Sequence, residues 1–337
     1  MRRAFITGTA GFIGFHLARL LLHKGWQVHG FDGMTAYYDL NLKRARLALL
    51  AQNPNFTQTE AMLEDADAVM TAARAARPDA IIHLAAQAGV RYSLEAPRAY
   101  IDSNLIGTFN VMEAARELMP AHLLMASTSS AYGANEEMPF KETDKADHPL
   151  TIYAATKKAN EAMGHAYAHL HNLPTTMFRF FTVYGPWGRP DMAPFKFTKA
   201  ILAGEPIDIY NNGEMWRDFT YVTDLVEGIA GLIDAPPVRP ASRADIAEGD
   251  SLSPAAPFRV VNIGNGQKVR LMDFIEAIEE ATGKQAIRNY MPMQTGDVPA
   301  TWADASLLNR LTGSLPATDV RDGMRAFVDW YRGFYQV

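Results

Sequence analysis

Residues 4–14 restrict the possible folds more than any other stretch of the chain. Ala4-Phe-Ile6 is a short apolar run that passes directly into Thr7-Gly8-Thr-Ala-Gly11-Phe-Ile-Gly14, and Phe15 to His23 then shows helical periodicity ending at Gly25. The order is strand, glycine turn, helix. Glycines at 8, 11 and 14 let the backbone turn tightly and approach a pyrophosphate at the helix N-terminus, which is the Gly-x-x-Gly-x-x-Gly form of the dinucleotide fingerprint. Gly8, Gly11, Phe12, Ile13 and Gly14 are therefore predicted cofactor residues. A second strand, Gln27 to Phe31, delivers Asp32 where an acid accepts both ribose hydroxyls, and an anion there favours NAD over NADP. The Lys43-Arg44-Ala-Arg46 cluster reads as a solvated helix face.

The strand and helix alternation continues. A third strand is predicted around Asn55 to Leu63, and a fourth, Ala80 to Leu84, opens into Ala85-Ala-Gln-Ala-Gly89-Val-Arg91. Small residues past a strand's carboxyl end mark where ligand and backbone meet, so Leu84, Ala85, Ala86 and Gln87 join the cofactor wall. Asn104 opens a helix running to Leu118 and serves as a polar support for that helix or the site. The fifth strand, His122 to Ala126, ends in Ser127-Thr128-Ser129-Ser130. Beyond it stand Tyr153 and Lys157, four apart on a helix and so on one face, where the ammonium can favour the ionised phenol. Tyr153 is then a candidate base, helped near neutral pH by the positive charge of a bound nicotinamide, and Thr128 can bridge substrate and phenol. The expected architecture is α/β: a doubly wound parallel Rossmann sheet over residues 1–180, with a return segment near 218–234, and a smaller interleaved α/β substrate domain over 181–337.

Composition narrows the function. With 337 residues, 48% of them hydrophobic, the chain is long enough for a full core, and a net charge of −5 leaves no basic face for nucleic acid or an anionic membrane. The absence of cysteine excludes disulfides and thiol catalysis, and the nine histidines show no metal-ligand spacing, so no metal is expected. The apolar run at Met1 to Gly8 is broken by the glycine turn, which argues against a signal segment, and the expected location is cytoplasmic. Ala235 to Phe258 reads as a surface excursion without core content.

Six stretches together resemble one family nearly end to end: Thr7 to Gly14, Tyr37 to Leu47, Ala85 to Ser93, Tyr153-Ala-Ala-Thr-Lys-Lys-Ala-Asn-Glu161, Arg179-Phe-Phe-Thr-Val-Tyr-Gly-Pro-Trp-Gly-Arg-Pro-Asp-Met192 and Arg217-Asp-Phe-Thr-Tyr-Val222. The chain resembles the extended short-chain dehydrogenase/reductase superfamily, and within it the nucleotide-sugar 4-epimerases, closest to the bacterial UDP-glucuronate 4-epimerases. The resemblance implies a homodimer and an NAD-dependent isomerase that interconverts UDP-glucuronate and UDP-galacturonate through a 4-keto intermediate, with Tyr153, Lys157 and Thr128 catalytic. It implies that Ser129, Ser130 and Thr182 hold the C6 carboxylate and that Arg217 clamps the diphosphate. Arg189 falls toward the nucleotide end, Arg91 toward the sugar end or into a structural salt bridge, and Asp297 either near the ribose or in a turn cap. A neutral UDP-hexose epimerase and a decarboxylase or dehydratase are the competing activities. Family members that dehydrate carry an acid pair after the active threonine, whereas this chain has Ser129-Ser130 and no acid until Glu136. One departure is Met62, which stands where the family places an acid against adenine, with Asp65 one turn on.

Overall fold

The computed structural model describes residues 1–294, 297–313 and 315–337. Its first part alternates strand and helix: β1 (Arg3–Thr7), α1 (Phe12–His23), β2 (Gln27–Asp32), α2 (Leu40–Leu50), β3 (Phe56–Glu60), α3 (Ala66–Ala76) and β4 (Ala80–His83). After β4 come two short turns, α4 (Tyr92–Glu95) and α5 (Pro97–Tyr100), a π-helical segment Ile101–Gly107, then α6 (Thr108–Leu118), β5 (His122–Thr128), α7 (Ile152–His171) and β6 (Thr175–Phe180). Asn104 thus lies inside the π-helical segment and does not open the helix.

The second part contains β7 (Thr182–Tyr184), α8 (Ala193–Ala203), β8 (Pro206–Ile209), β9 (Trp216–Arg217), β10 (Phe219–Tyr221) and α9 (Val222–Ile233). β11 (Phe258–Ile263), β12 (Val269–Arg270), α10 (Leu271–Thr282), β13 (Ile287–Tyr290), β14 (Ala300–Thr301), α11 (Ser306–Thr312) and α12 (Val320–Tyr335) follow.

Seven strands form one parallel sheet in the order β3-β2-β1-β4-β5-β6-β11. Strand order reverses between β1 and β4, and such a switch point opens a crevice at the carboxyl ends of the strands. Strands covered on both sides read as continuous apolar runs, and Ala4, Phe5 and Ile6 are accordingly all buried. One face packs Phe15, Leu17, Leu225, Ile229 and Leu307 of α1, α9 and α11. The other packs Val69, Ala72, Val111, Met112 and Ala168 of α3, α6 and α7.

The seventh strand comes from far along the chain, outside residues 1–180 and 218–234. It also corrects the expectation for Ala235 to Phe258. Ala256 and Phe258 are core residues under α7, and Arg259 bonds Asp250 at 2.9 Å, because this stretch leads directly into β11. A separate apolar cluster, including Ile207, Phe219, Phe274, Ile278 and Phe327, holds three small sheets, β7 with β10, β8 with β13, and β9 between β12 and β14. This smaller lobe faces the carboxyl edge of the large sheet.

Candidate active site

The glycine turn is shaped by close approach. Gly8 has φ +84°, and a Cβ there would stand 2.8 Å from the Ala85 nitrogen, while a Cβ at Gly14 would run into the Gly8 carbonyl oxygen. Thr7 Oγ1 accepts from the Leu84 and Ala85 amides at 3.2 and 3.1 Å, which fixes the end of β4 against the turn. Gly11 caps α1 without a side-chain bond, so the first-turn amides remain available to an anion. Asp32, at the end of β2, accepts from the amides of Ala10 (3.0 Å) and Met34 (2.8 Å). Gly8, Gly11, Phe12, Ile13, Gly14, Asp32, Leu84, Ala85, Ala86 and Gln87 all line one cavity of about 1450 Å³ between the lobes. That exceeds the range of about 300–1000 Å³ typical for a single small ligand and suits two. Asn104 sits behind the wall: its Oδ1 accepts from the Gln87 amide at 2.8 Å and its Nδ2 donates to Gln87 oxygen and Thr156 Oγ1.

The basic cluster on α2 is a correction. Only Arg44 is exposed; Lys43 is 5% exposed and Arg46 wholly buried. Lys43 Nζ donates to Thr35 oxygen and Oγ1 and lines the cavity near Asp32. Arg46 donates to the Ala10 carbonyl (2.7 Å), the Tyr38 hydroxyl (2.8 Å) and the Trp187 carbonyl (2.6 Å). A buried guanidinium needs such acceptors, and here they staple the glycine turn to the loop before α8. The spacing held the signal, since 43 and 46 share a helix face with the buried Leu42 and Leu50.

Across the crevice, α7 presents Tyr153 and Lys157 to the end of β5. Lys157 is 2% exposed, its Nζ donates to the Ala126 carbonyl at 3.0 Å, and burial pulls its pKa down to about 8. Burial pushes the Tyr153 phenol above its ordinary value, opposed by the Thr128 hydroxyl and the Arg189 charge. The Lys157 ammonium, one helical turn from Tyr153, is held by the strand carbonyl, and the Arg189 charge is a second one that favours the ionised phenol. Thr128, Ser129 and Ser130 line the cavity beside Tyr153, with Thr128 Oγ1 accepting from the Ser130 amide and the next residues forming a 3₁₀ turn, Ser129–Tyr132. Thr182, at the start of β7, lines the same space.

Arg189 lines the cavity beside Gly89. It forks onto Asp191 at 3.0 and 2.5 Å, and Tyr37 donates to the same carboxylate at 3.1 Å. Local pairing within the loop before α8 turns the guanidinium toward Gly89 and Tyr153. Arg217 lines the opposite wall and donates to the Trp216 and Pro299 carbonyls. Arg91 and Asp297 form a salt bridge at 3.1 Å across the lobes, with Arg91 also 4.9 Å from the Tyr210 ring centre. Arg91 thereby takes the salt-bridge alternative while still lining the cavity.

Asp65 is spent as the N-cap of α3, accepting from Ala68, and Met62 and Leu63 line the cavity. Tyr37, Asp191 and the lining residues Lys196, Phe197 and Tyr210 had no assigned role in the sequence reading. Tyr37 and Asp191 lay within motifs already singled out, whereas the others become visible only when β8 and α8 are folded against the cleft. Among the described residues no group of three or more His, Asp or Glu is placed to hold a metal ion.

A dinucleotide cradle at the switch point of a parallel sheet, with a tyrosine and lysine on the adjoining helix facing a second ligand space, defines an enzyme of the short-chain dehydrogenase/reductase class. The family model of the NAD dependent epimerase/dehydratase family matches residues 4–244, and the chain belongs to that family. A probable UDP-glucuronate 4-epimerase of Rhizobium meliloti (strain 1021) is 58% identical over 334 residues, 99% of this chain and 98% of that one. UDP-glucuronate 4-epimerase 1 of Arabidopsis thaliana is 42% identical over 335 residues, covering 98% of this chain and 76% of the relative. The solved structure of UDP-glucuronic acid 4-epimerase from Bacillus cereus, in complex with UDP-glucuronic acid and NAD, superposes with a TM-score of 0.87 at 29% identity, covering 99% of this chain and 100% of that one.

Proposed function

We propose that this enzyme interconverts UDP-glucuronate and UDP-galacturonate by oxidation and re-reduction at C4. The observation that carries this reading is the hydroxyl run Thr128, Ser129 and Ser130, which lines the cavity beside Tyr153 together with Thr182. Neutral hydroxyls at that edge suit a sugar carboxylate, whereas the first acid beyond them, Glu136, is exposed at the cavity wall. The relatives named for UDP-glucuronate support the same substrate.

Bound NAD supplies the acceptor, and in the return step the donor, of the C4 hydride. The residues here that fit it are the bare glycine turn with its free helix amides, Asp32 for the ribose, and the wall Leu84 to Gln87 braced by Asn104. Tyr153 takes the proton of the sugar 4-hydroxyl and returns it, Thr128 orients O4 and relays the proton, and Lys157 contributes positive charge at the end of β5. Arg217 forks onto the diphosphate, its charge otherwise disfavoured by burial. Ser129, Ser130 and Thr182 hold the carboxylate so that the 4-keto sugar can turn over and be reduced on its other face.

A homodimer belongs to the same proposal, supported by exposed Ile101, Ile106 and Phe109 ahead of and on α6 and Ile152 at the start of α7. Sedimentation that finds only monomer would refute it. Among the described residues no helix is long and apolar enough to cross a membrane. The cysteine-free composition suits a reducing compartment, and a cytoplasmic setting is the one we adopt.

The test is incubation with UDP-glucuronate and NAD, following the anomeric signals by NMR. A UDP-galacturonate signal growing to a steady ratio is expected. Activity on UDP-glucose alone, or conversion of UDP-glucuronate only to UDP-pentose, would replace the proposal with one of its competitors.

A further inference from the structure

The hydroxyl run is fastened at both of its ends by buried groups that have no place in the proton transfers. At the leading end, Ser127 Oγ donates to Glu161 Oε1 at 2.7 Å. Glu161 follows Tyr153 and Lys157 at intervals of four on α7, so all three lie in one stripe of the helix. Lys157 is bonded to Ala126 and Glu161 to Ser127, which means that two successive residues of β5 are each tied to the helix that carries the base. Arg179, which faces Ser127 in the β5–β6 register, forks onto Glu161 at 2.8 and 2.7 Å, and the two side chains are only 2% and 4% exposed. At the trailing end, Tyr132 closes the 3₁₀ turn. Its ring lies 4.4 Å from the Arg179 guanidinium, and its hydroxyl donates to Asn262 Oδ1 of β11 at 2.7 Å. Thr128, Ser129 and Ser130 are suspended between these two anchors.

We propose that the Ser127–Glu161–Arg179–Tyr132 chain positions the hydroxyl run relative to Tyr153, and so decides whether the 4-keto intermediate keeps its carboxylate. The inference rests on the UDP-glucuronate reading above. A buried ion pair adds little net stability compared with apolar packing, so what this one contributes is geometry. That geometry matters because a 4-keto-hexuronate is a β-keto acid. When the C5–C6 bond aligns with the C4 carbonyl π system it breaks, its electron pair forms the C4–C5 enolate, carbon dioxide leaves and C5 takes a proton from solvent. The resulting 4-keto-pentose nucleotide then regains the hydride removed earlier from C4, so UDP-pentose and carbon dioxide emerge without any outside oxidant or reductant. Hydroxyls held in register keep that bond out of alignment. Hydroxyls free to drift do not.

Glu161, Arg179, Ser127 and Tyr132 are positioning residues, and their signature is a change in product ratio. The experiment supplies UDP-glucuronate labelled with ¹³C at C6, with saturating NAD, to the wild type, to Ser127→Ala and to Glu161→Gln. NMR follows UDP-galacturonate, UDP-pentose and labelled carbon dioxide. Ser127→Ala leaves the ion pair intact and is expected to fold. The ratio of pentose to galacturonate should rise about tenfold or more in it and further in Glu161→Gln, given how steeply rates respond to small displacements. Because removing one buried charge from the pair threatens folding, the neutral double variant Glu161→Gln/Arg179→Met serves as the second probe. Activity that falls in both channels with the ratio unchanged, or a Ser127→Ala enzyme that matches the wild type, would overturn the inference. A wild type that leaves UDP-glucuronate untouched would instead overturn the reading beneath it.

Discussion

The two walls of the cleft are held in different ways. The inner wall, where β5 and β6 meet α7, is tied by buried polar groups: Lys157 to the Ala126 carbonyl, Glu161 to Ser127 and Arg179, Asn104 to Gln87. On the outer wall, β9 is only two residues long, Arg217 bonds to main-chain carbonyls of neighbouring segments, and Arg91 meets Asp297 with its side chain 49% exposed. The difference matches the work proposed for each side. Proton transfer and carboxylate orientation depend on small displacements, and the groups proposed for them are tied down by contacts within the protein itself. Holding a flexible diphosphate requires cations within reach, and the ligand itself completes their coordination.

The sharpest break in this comparison should come at the inner wall. Replacing Tyr153 by Phe removes the proposed base with little change of shape, and should lower turnover at least about a thousandfold while NAD affinity, read by calorimetry, stays within about threefold. Arg217→Ala should act differently, raising KM for the UDP-sugar about tenfold to a hundredfold with kcat changed by less than about threefold. A variant that lost kcat instead would move Arg217 to the chemical side of the cleft.

The pH profile offers a finer test. Burial pulls Lys157 down to about 8, so its ammonium is present below that pH and lost above it. Turnover should therefore fall as pH rises through about 8, approaching tenfold per unit. Over the window from about 8 to the ordinary lysine value, the unfolded chain binds the proton and the folded one does not, so this group makes stability rise with pH. Activity falling while thermal stability is kept would identify the limb as titration and not unfolding. Lys157→Arg, which stays charged, should remove the limb. The smallest effect belongs to the outer wall: Arg91→Ala breaks an exposed pair and should change stability by less than about 1 kcal/mol in denaturant titration.

What was legible in the sequence divides along the same line. The fingerprint, Asp32 and the Tyr153 to Lys157 spacing are local patterns whose meaning depends on one strand or one helix, and the large sheet follows from their alternation. The acceptors of Lys43 and Arg46 were not legible, because Ala10, Thr35 and Trp187 are brought to them by three separate loops. The direction of Arg189 was not legible for a similar reason, since it is set by Asp191 and the path of the loop. The contacts among Ser127, Glu161 and Arg179 needed the strand register, which places residues 127 and 179 side by side.

The late origin of β11 bears on how the protein can be made. The sheet that carries the cofactor site is complete only with residues 258–263, and one of its faces is covered by α9 and α11. A ribosome that has released the first 180 residues has therefore produced every predicted cofactor contact on a surface still missing an edge strand and much of its apolar cover. A cut after residue 180 would leave the cofactor lobe without that strand and cover, and a nascent chain stalled before residue 264 presents an open strand edge and bare hydrocarbon to whatever lies nearby.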